Sequence, residues 1–404
     1  MLFCHLACSC AEPSVPPDDS SKTETEPPDS PSETAIEDSP EDTGPFPVAV
    51  ATAAPQMGDP PVTIQFTAEG STSPTGEMHG SWVIDGVAHE GLDVQVPFGE
   101  GGEYQAVLTI DDGVRTAQDE VTVYIRDADC PGFAYEVWGT VTAEQLNEIS
   151  GVVQSRQDAR VLWVHNDSGD DPRFFAVRDD GRLLGTYLLD GAERGDLEDI
   201  AIGQDQDGHI LYVGDIGDNP GTREFIRVYR VVEPTVDVAS DDPVDEVVQA
   251  ETMLLRYPDG VSYNSETLFI DPRDQALYIV TKDYGGLQKL FRKNPPHAPG
   301  DFTLDYVMDL DFGQPPLNGG ATTAGDISLD GSLIMVRTYA VNAWLWRRGE
   351  NESVQQAMSE IPCRITLPEE PQSESVTFST DGAGLITISE REGQPVNYTA
   401  LQFD

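Results

Sequence analysis

Apolar and polar residues alternate in short runs from residue 47 onward, and Gly, Pro and Asp separate the runs. A period of two places the apolar side chains on one face of a strand, and short runs broken by turn residues are typical of antiparallel sheets. The chain contains no apolar run of about 20 residues, the length that a transmembrane helix needs. The pattern therefore predicts an all-β protein.

The runs between residues 131 and 404 recur five times in the same order. Each unit opens with an acidic residue and an apolar strand, as in NEISGVV, LEDIAIG, SETLFID, AGDISLD and SESVTFS. In each unit a second strand comes after a Gly/Asp turn, and a third strand comes after the second. A fourth strand ends four of the five units. The spare strand FAYEVWGTV at 133–141 would complete the last unit. Four-strand repeats of this kind predict a β-propeller, and a strand exchanged between the ends would close it.

We count five blades, and a sixth could lie in the long 231–262 connection. The competing folds are one large sandwich or two separate sheets.

The six runs between residues 47 and 127 are evenly spaced and predict a β-sandwich. Its segments PVAVATAAP, SWVIDG with Trp82, and GGEYQAVLTIDDGVRTAQDEVTVYI resemble the PKD domain, an immunoglobulin-like module of extracellular proteins. The resemblance implies a spacer or adhesion module. The usual W-D-F-G-D-G of that family is altered here to Trp82-Val83-Ile84-Asp85-Gly86, so the loop chemistry differs.

The first ten residues are apolar and small and then turn polar, like the end of a secretory signal. They lack a basic start and a full apolar stretch, so we expect the true signal to be longer. Cys8 and Cys10 lie where a bacterial lipoprotein would carry its lipid, although His5 and Ala7 stand where Leu is usual. The alternative is an unprocessed cytosolic start with chance cysteines.

Residues 11–46 hold eleven acids, eight prolines and the single basic residue Lys22, which predicts a disordered, extended linker. The whole chain has 72 acidic and 23 basic residues, a net charge of -49. Such a charge repels phosphate backbones and anionic lipids, so we expect no nucleic-acid partner and no membrane attachment except by a lipid anchor. We expect a secreted or cell-surface lipoprotein of a bacterium.

Cys130 and Cys363 are the two cysteines outside the signal-like segment. Two cysteines in an exported domain can form a disulfide, and the alternative is two separate buried thiols.

The acids that open the repeats are the strongest site candidates, because the first strands of propeller blades line the central channel. They are Glu148, Glu198, Glu266, Asp326 and Glu374. Five converging carboxylates repel one another. A Ca²⁺ ion, which takes six to eight oxygen ligands, would relieve this repulsion, and so would the basic residues Lys282 and Arg337, which fall at the ends of second strands. Alternatively, each acid accepts hydrogen bonds from backbone amides of the neighbouring blade and locks the blades together.

Two acidic loops end the second strands of the first two units and add Asp167, Asp215 and Asp218 as candidate metal ligands. Neither loop has complete EF-hand spacing, and both could be ordinary turns. His165 is the candidate for proton transfer, and Lys282 and Arg337 are candidates for binding an anionic substrate. No G-x-S-x-G, H-E-x-x-H or P-loop motif occurs.

The segments LWVHNDSGD, GDLEDIAIG, LYVGDIGDN, LYIVTKDYGG and SESVTF resemble bacterial propellers of the TolB-like and phytase-like group. Some members of that group are calcium-dependent phosphoesterases and others are binding or scaffold proteins. Two hypotheses follow. The first is a surface-anchored propeller that binds a protein, peptide or small-molecule ligand through Ca²⁺. The second is a metal-dependent hydrolase with its site at the central mouth, where Lys282, Arg337 and Lys289 would bind a phosphate.

Overall fold

The computed structural model describes residues 44–58, 60–125, 130–285, 287–312, 320–339 and 342–403. The signal-like segment with Cys8 and Cys10, and the linker up to residue 43, lie outside the described residues. The regular secondary structure of the described chain is almost entirely strand, with 54% of residues in strands and 1% in helix, so the predicted all-β fold class is confirmed. Within the described residues, no helix is both long enough and apolar enough to span a bilayer.

The first eight strands form two facing sheets. In chain order they are β1 Thr52–Ala54, β2 Met57–Gly58, β3 Val62–Thr67, β4 His79–Ile84, β5 Val87–Glu90, β6 Asp93–Phe98, β7 Gly102–Asp111 and β8 Thr116–Ile125. The sheet orders are β1-β3-β6 and β2-β8-β7-β4-β5. Alternate residues of the long strands point inward, and Phe66 packs against the fully buried Trp82 at 5.6 Å between ring centroids. The predicted period of two therefore produces the core of this module.

The remaining strands build five further sheets. They are β9 Gly132–Thr140, β10 Ile149–Gln154, β11 Val161–Asn166, β12 Arg173–Arg178, β13 Leu183–Asp190, β14 Leu197–Asp205, β15 Gly208–Asp215, β16 Ile226–Val232, β17 Val244–Gln249, β18 Glu251–Arg256, β19 Ser265–Ile270, β20 Leu277–Thr281, β21 Leu287–Lys293, β22 Gly300–Thr303, β23 Asp305–Asp311, β24 Thr322–Ile327, β25 Leu333–Thr338, β26 Asn342–Arg347, β27 Cys363–Thr366, β28 Thr377–Phe378, β29 Gly384–Ile388 and β30 Pro395–Gln402. One short helix, α1 Val354–Met358, precedes β27, and Ser353 and Gln356 cap its start reciprocally.

We number these sheets I to V along the chain. Their strand orders are β10-β11-β12-β13-β17, β14-β15-β16-β18-β22, β19-β20-β21-β23, β24-β25-β26-β27 and β28-β29-β30-β9. The first strands of consecutive sheets contact one another, and β28 also contacts β10, so the five sheets form a closed ring. We call this the five-sheet ring. Strand β9 pairs with β30 over its whole length, as the repeat pattern predicts.

Hydrophobic clusters fill the space between neighbouring sheets. Trp163 and Tyr187 of sheet I pack in one cluster with residues of sheet II, and Ile386 of sheet V packs in another with Val152 of sheet I. Each first and second strand is buried on both faces along most of its length, and the second strands, such as Leu277–Thr281, are accordingly mostly apolar. The 231–262 connection forms no sixth sheet within the described residues: its β17 extends sheet I in parallel, and β18 is the fourth strand of sheet II.

Cys130 and Cys363 form a disulfide, with their Cα atoms 5.5 Å apart. Cys130 stands just before β9 of sheet V, and Cys363 opens β27 of sheet IV. The bond therefore spans the place where the first strand of the ring meets the last sheets. Beside it, the guanidinium of Arg364 lies 4.0 Å above the ring of Tyr124 on β8. The chain from Phe46 onward forms one compact unit.

Candidate functional site

A β-bulge interrupts the first strand in four of the five sheets. The register shifts at Ile149/Gly151, Leu197/Asp199, Ser265/Thr267 and Thr322/Ala324. The residues at the bulges are Ser150, Glu198, Glu266 and Thr323. Glu374 has the corresponding position in sheet V, because Ser375, the next residue, is bonded to Ile388 of the second strand. Bulges redirect side chains, and these five positions, the bulge set, surround one end of the ring, which we call the mouth.

A second set of side chains comes from the ends of the second strands. Asp167, Ile216, Lys282 and Tyr339 each follow directly on a second strand, and Glu390 comes two residues after β29. We call these five residues the end set. Four of their backbone amides bond to the chain that enters the first strand, as in Asp167 N–H to the Glu148 carbonyl and Lys282 N–H to the Asn264 carbonyl, both at 2.8 Å, and in sheet II Gly217, next to Ile216, donates to the Asp196 carbonyl. The end set and the bulge set therefore lie at the same mouth.

Half of the mouth carries a continuous chain of polar contacts. Glu266 forms a buried ion pair with Lys282, whose ammonium donates to the Tyr339 hydroxyl at 2.7 Å. Tyr339 donates to Glu374 Oε1 at 2.7 Å, and Glu374 is also hydrogen-bonded to Glu390. This chain crosses sheets III, IV and V and satisfies the charges within it.

The pKa values along this chain follow from burial and from the contacts. Burial raises the pKa of Glu266, and contact with Lys282 offsets part of the rise. Burial and the hydrogen bond to Glu374 raise the pKa of Glu390 to about 9. Burial opposes ionisation of Glu374 as well, but hydrogen bonds from Glu390 and Tyr339 bring its pKa below the usual value. At neutral pH, Glu390 is thus the protonated donor and Glu374 the carboxylate.

The other half of the mouth holds acids without such compensation. Oxygens of Asp167, Asp196 and Glu198 all lie within 4.8 Å of one another, and oxygens of Asp167, Glu374 and Glu390 form a second group of the same size. Glu198 is 3% exposed, and no described residue donates a hydrogen bond to its carboxylate. Burial, and then the neighbouring carboxylates, raise its pKa well above the usual value, while burial raises that of Asp167 to about 6.

Gly217 forms the back of this acidic group. A Cβ at residue 217 would collide with Glu198 Oε1 and Asp196 Oδ2. The absence of a side chain here lets the two carboxylates approach the backbone closely, and an added Cβ would force them to move.

Two of the predicted ring acids occupy other positions. Glu148 is exposed at the entrance, two residues before the bulge of sheet I. Asp326 lies three residues beyond the bulge of sheet IV and accepts hydrogen bonds from Thr377 Oγ1 at 2.7 Å and Phe378 N–H at 2.9 Å, both on sheet V. Asp326 therefore links adjacent sheets, which is the alternative role predicted for these acids. Asp199 does the same between sheets II and III through Leu268 N–H at 2.8 Å.

Of the predicted loop acids, too, only one lies at the mouth. Asp167 belongs to the mouth, whereas Asp215 is fully buried and paired with Arg223 at 2.7 Å and Arg227 at 3.2 Å. Asp218 accepts from the amides of Thr222 and Arg223 and fixes its own loop. Both of these carboxylates are satisfied by protein groups.

His165 and Arg337 face the space between sheets and not the mouth. His165 is fully buried, its Nδ1 lies 2.9 Å from the Asn166 carbonyl, and burial lowers its pKa to about 4. Arg337 is also fully buried, and it donates to the Ser375 carbonyl at 2.6 Å and to Glu370. Neither side chain can reach a substrate at the mouth.

Sequence reasoning missed three mouth residues, Asp196, Tyr339 and Glu390. What could have revealed them is their fixed position relative to a strand. Asp196 lies two residues before a bulge, as Glu148 does. Tyr339 and Glu390 follow second strands, as Asp167 and Lys282 do. The residue types differ from sheet to sheet, so a search for repeated acids passes over them.

Comparison of the sequence with protein-family models and with the curated proteins found no match.

Proposed function

We propose that this chain is an exported ligand-binding protein and that its five-sheet ring is a five-bladed β-propeller whose mouth binds a hard divalent cation such as Ca²⁺. One observation carries the proposal. The Glu198 carboxylate is almost completely buried beside Asp167 and Asp196 and has no hydrogen-bond donor among the described residues.

The energetics of burial favour a cation at this position. A buried carboxylate without a partner costs several kcal/mol, and two neighbouring carboxylates increase that cost. The nearest ammonium, on Lys282, already pairs with Glu266 and is 3% exposed. A Ca²⁺ ion held by Asp167, Asp196 and Glu198 would offset the repulsion and could fill its remaining positions with carbonyls and water. Oxygen-only ligands favour Ca²⁺ over softer transition metals.

The alternative of a metal-dependent hydrolase is supported by the sharing of Asp167 between two carboxylate groups. Two cations bridged by Asp167 could polarise a substrate and a water. Phosphate hydrolysis would also need a basic group at the mouth, but Lys282 is paired with Glu266 and Arg337 with Glu370. The contacts therefore favour the binding role.

The N-terminal parts suggest where such a protein would work. A lipid on Cys8 or Cys10, the acidic linker and a PKD-like spacer would hold the ring away from a bacterial surface. The disulfide between Cys130 and Cys363 fits an oxidising compartment.

A thermal unfolding experiment with EDTA or with millimolar CaCl₂ tests the cation. Binding to the folded state alone must raise Tm by mass action, and we expect a rise that saturates with Ca²⁺. Glu198→Gln should abolish the rise, whereas Asp245→Asn, which removes an exposed acid of β17, should leave it unchanged. A wild-type Tm that is the same in EDTA and in calcium would refute the cation site.

A further inference from the structure

A cavity of about 300 Å³ lies beside the mouth, between sheets II and III. Its walls are the loop after β15, with Asn219, the approach to β19, with Tyr263 and Asn264, and the loop after β20, with Tyr284. Its volume is at the lower end of the range for small-molecule sites.

The lysines of this cavity are already neutralised by protein carboxylates. Lys282 is paired with Glu266, and Lys289 is 3.1 Å from Asp309. Since no lysine of the wall lacks a counter-ion, a free organic anion would find no uncompensated positive charge here. The cavity is therefore suited to a neutral ligand.

The wall is rich in groups that hydrogen-bond hydroxyls. Asn264 Nδ2 donates to Asn219 Oδ1 at 3.3 Å, which leaves the amide NH₂ of the exposed Asn219 directed to solvent. Asp283 uses one carboxylate oxygen for the Gly285 amide, and its other oxygen has no donor among the described residues. Side-chain amides both donate and accept hydrogen bonds, and carboxylates accept them. This combination suits hydroxyl groups, which also donate and accept hydrogen bonds.

Aromatic surface completes the wall. Tyr284 is 52% exposed and Leu287 51%. The Tyr263 ring is held edge-on by Tyr257 at 5.0 Å between centroids, and its hydroxyl is bonded to Asp259. A large exposed aromatic ring above polar groups offers a flat apolar face to C–H groups while hydroxyls reach the amides.

We propose that this cavity binds a neutral saccharide of one or two sugar units. The ring face would pack on Tyr284, and the hydroxyls would bond to Asn219 and Asp283, while Asn264 holds Asn219 in place. The proposal rests on the ligand-binding role proposed above but does not require the cation. Lys282 and Asn264 belong to the cavity wall and also contact Glu266 at the mouth, so the two sites share a boundary.

Isothermal titration calorimetry of the full chain with defined neutral sugars tests this proposal. The probes are glucose, galactose, mannose, xylose and N-acetylglucosamine, and the β-1,4-linked disaccharides of glucose, xylose and N-acetylglucosamine. We expect saturable binding of at least one probe. Tyr284→Ala and Asn219→Ala should each weaken that binding roughly tenfold, the effect of losing about 1.4 kcal/mol of contact. Tyr135→Ala removes a similarly exposed tyrosine on sheet V and should have no effect.

The possible failures of the two proposals are distinguishable. If calcium raises Tm but no sugar binds at millimolar concentration, the saccharide proposal is overturned and the cation remains. If a sugar binds equally in EDTA and calcium has no effect on Tm, the cation fails and the saccharide site stands. Binding that Tyr135→Ala weakens as much as Tyr284→Ala would place the sugar outside the cavity and overturn the proposal. Binding of acetate or phosphate in place of every sugar would do the same.

Discussion

The ammonium of Lys282 on sheet III donates a hydrogen bond to the hydroxyl of Tyr339 on sheet IV at 2.7 Å, and this hydroxyl in turn donates a hydrogen bond to Glu374. The tyrosine therefore joins the Glu266–Lys282 ion pair to the hydrogen-bonded pair of Glu374 and Glu390. The acidic group of Asp167, Asp196 and Glu198 lies outside this chain of hydrogen bonds.

Tyr339→Phe should destabilise the protein by about 1–3 kcal/mol, because it leaves one donor of Lys282 and one acceptor of Glu374 without their partner. Urea unfolding measures the loss. Tyr187→Phe is the matched control, since the buried Tyr187 hydroxyl has no hydrogen-bond partner among the described residues and its removal should be neutral or stabilising. Equal losses for the two variants would mean that the hydroxyl of Tyr339 contributes nothing specific.

Gly217→Ala should disturb the acidic group without changing any charge. The added methyl would collide with Glu198 and Asp196, so we expect a lower Tm and a calcium-induced rise in Tm that is strongly reduced. Gly349→Ala is the control, because its Cβ would meet only Glu352 at an ordinary 3.5 Å. A Gly217→Ala protein with the full calcium response would show that these two carboxylates do not hold the ion.

The order of the strands could be predicted from the sequence, but the register of the acids could not. Apolar runs and turn residues determine where strands lie. Strand β9 was placed correctly because it stands before the first repeat and the last repeat lacks a fourth strand. A bulge adds one residue to a strand, however, and the sequence carries no mark of it. Glu148 and Asp326 were therefore grouped with Glu198, although they lie two residues before and three beyond the bulge positions.

Neither the parallel edge strands nor Tyr339, the aromatic residue at the mouth, could be predicted from the sequence. Strand β17 is mostly exposed and pairs with β13 in parallel, so neither its composition nor its neighbours in sequence reveal its partner. Tyr339 shares a structural position with Asp167 and Lys282 but no chemistry with them. A site assembled from five sheets becomes visible only once their register is known.

Breaking the disulfide should cost up to about 5 kcal/mol, because the bond joins residues separated by 233 positions and restricts the unfolded chain. Cys130→Ser, Cys363→Ser and the double variant should show similar drops in unfolding free energy, since either single change removes the same bond. Dithiothreitol should lower Tm of the wild type and leave the variants unchanged. A double variant that loses about twice as much as each single variant would show that the cysteines act as two separate buried side chains.

His165 should make stability fall in mild acid. Its pKa is about 4 in the folded protein, because burial excludes the charged form, against an ordinary value of 6.5. Above pH 6.5 the ring is neutral in both states. Between pH 6.5 and 4 only the unfolded state takes up the proton, so stability falls with pH, by about 3 kcal/mol in total. The buried acids with raised pKa values act in the opposite direction, and comparison with His165→Gln removes their contribution. The measurement is the unfolding free energy of both proteins from pH 8 to 4. The wild type should lose stability relative to the variant only below pH 6.5, and a constant difference across that range would mean that folding leaves the pKa of His165 unchanged.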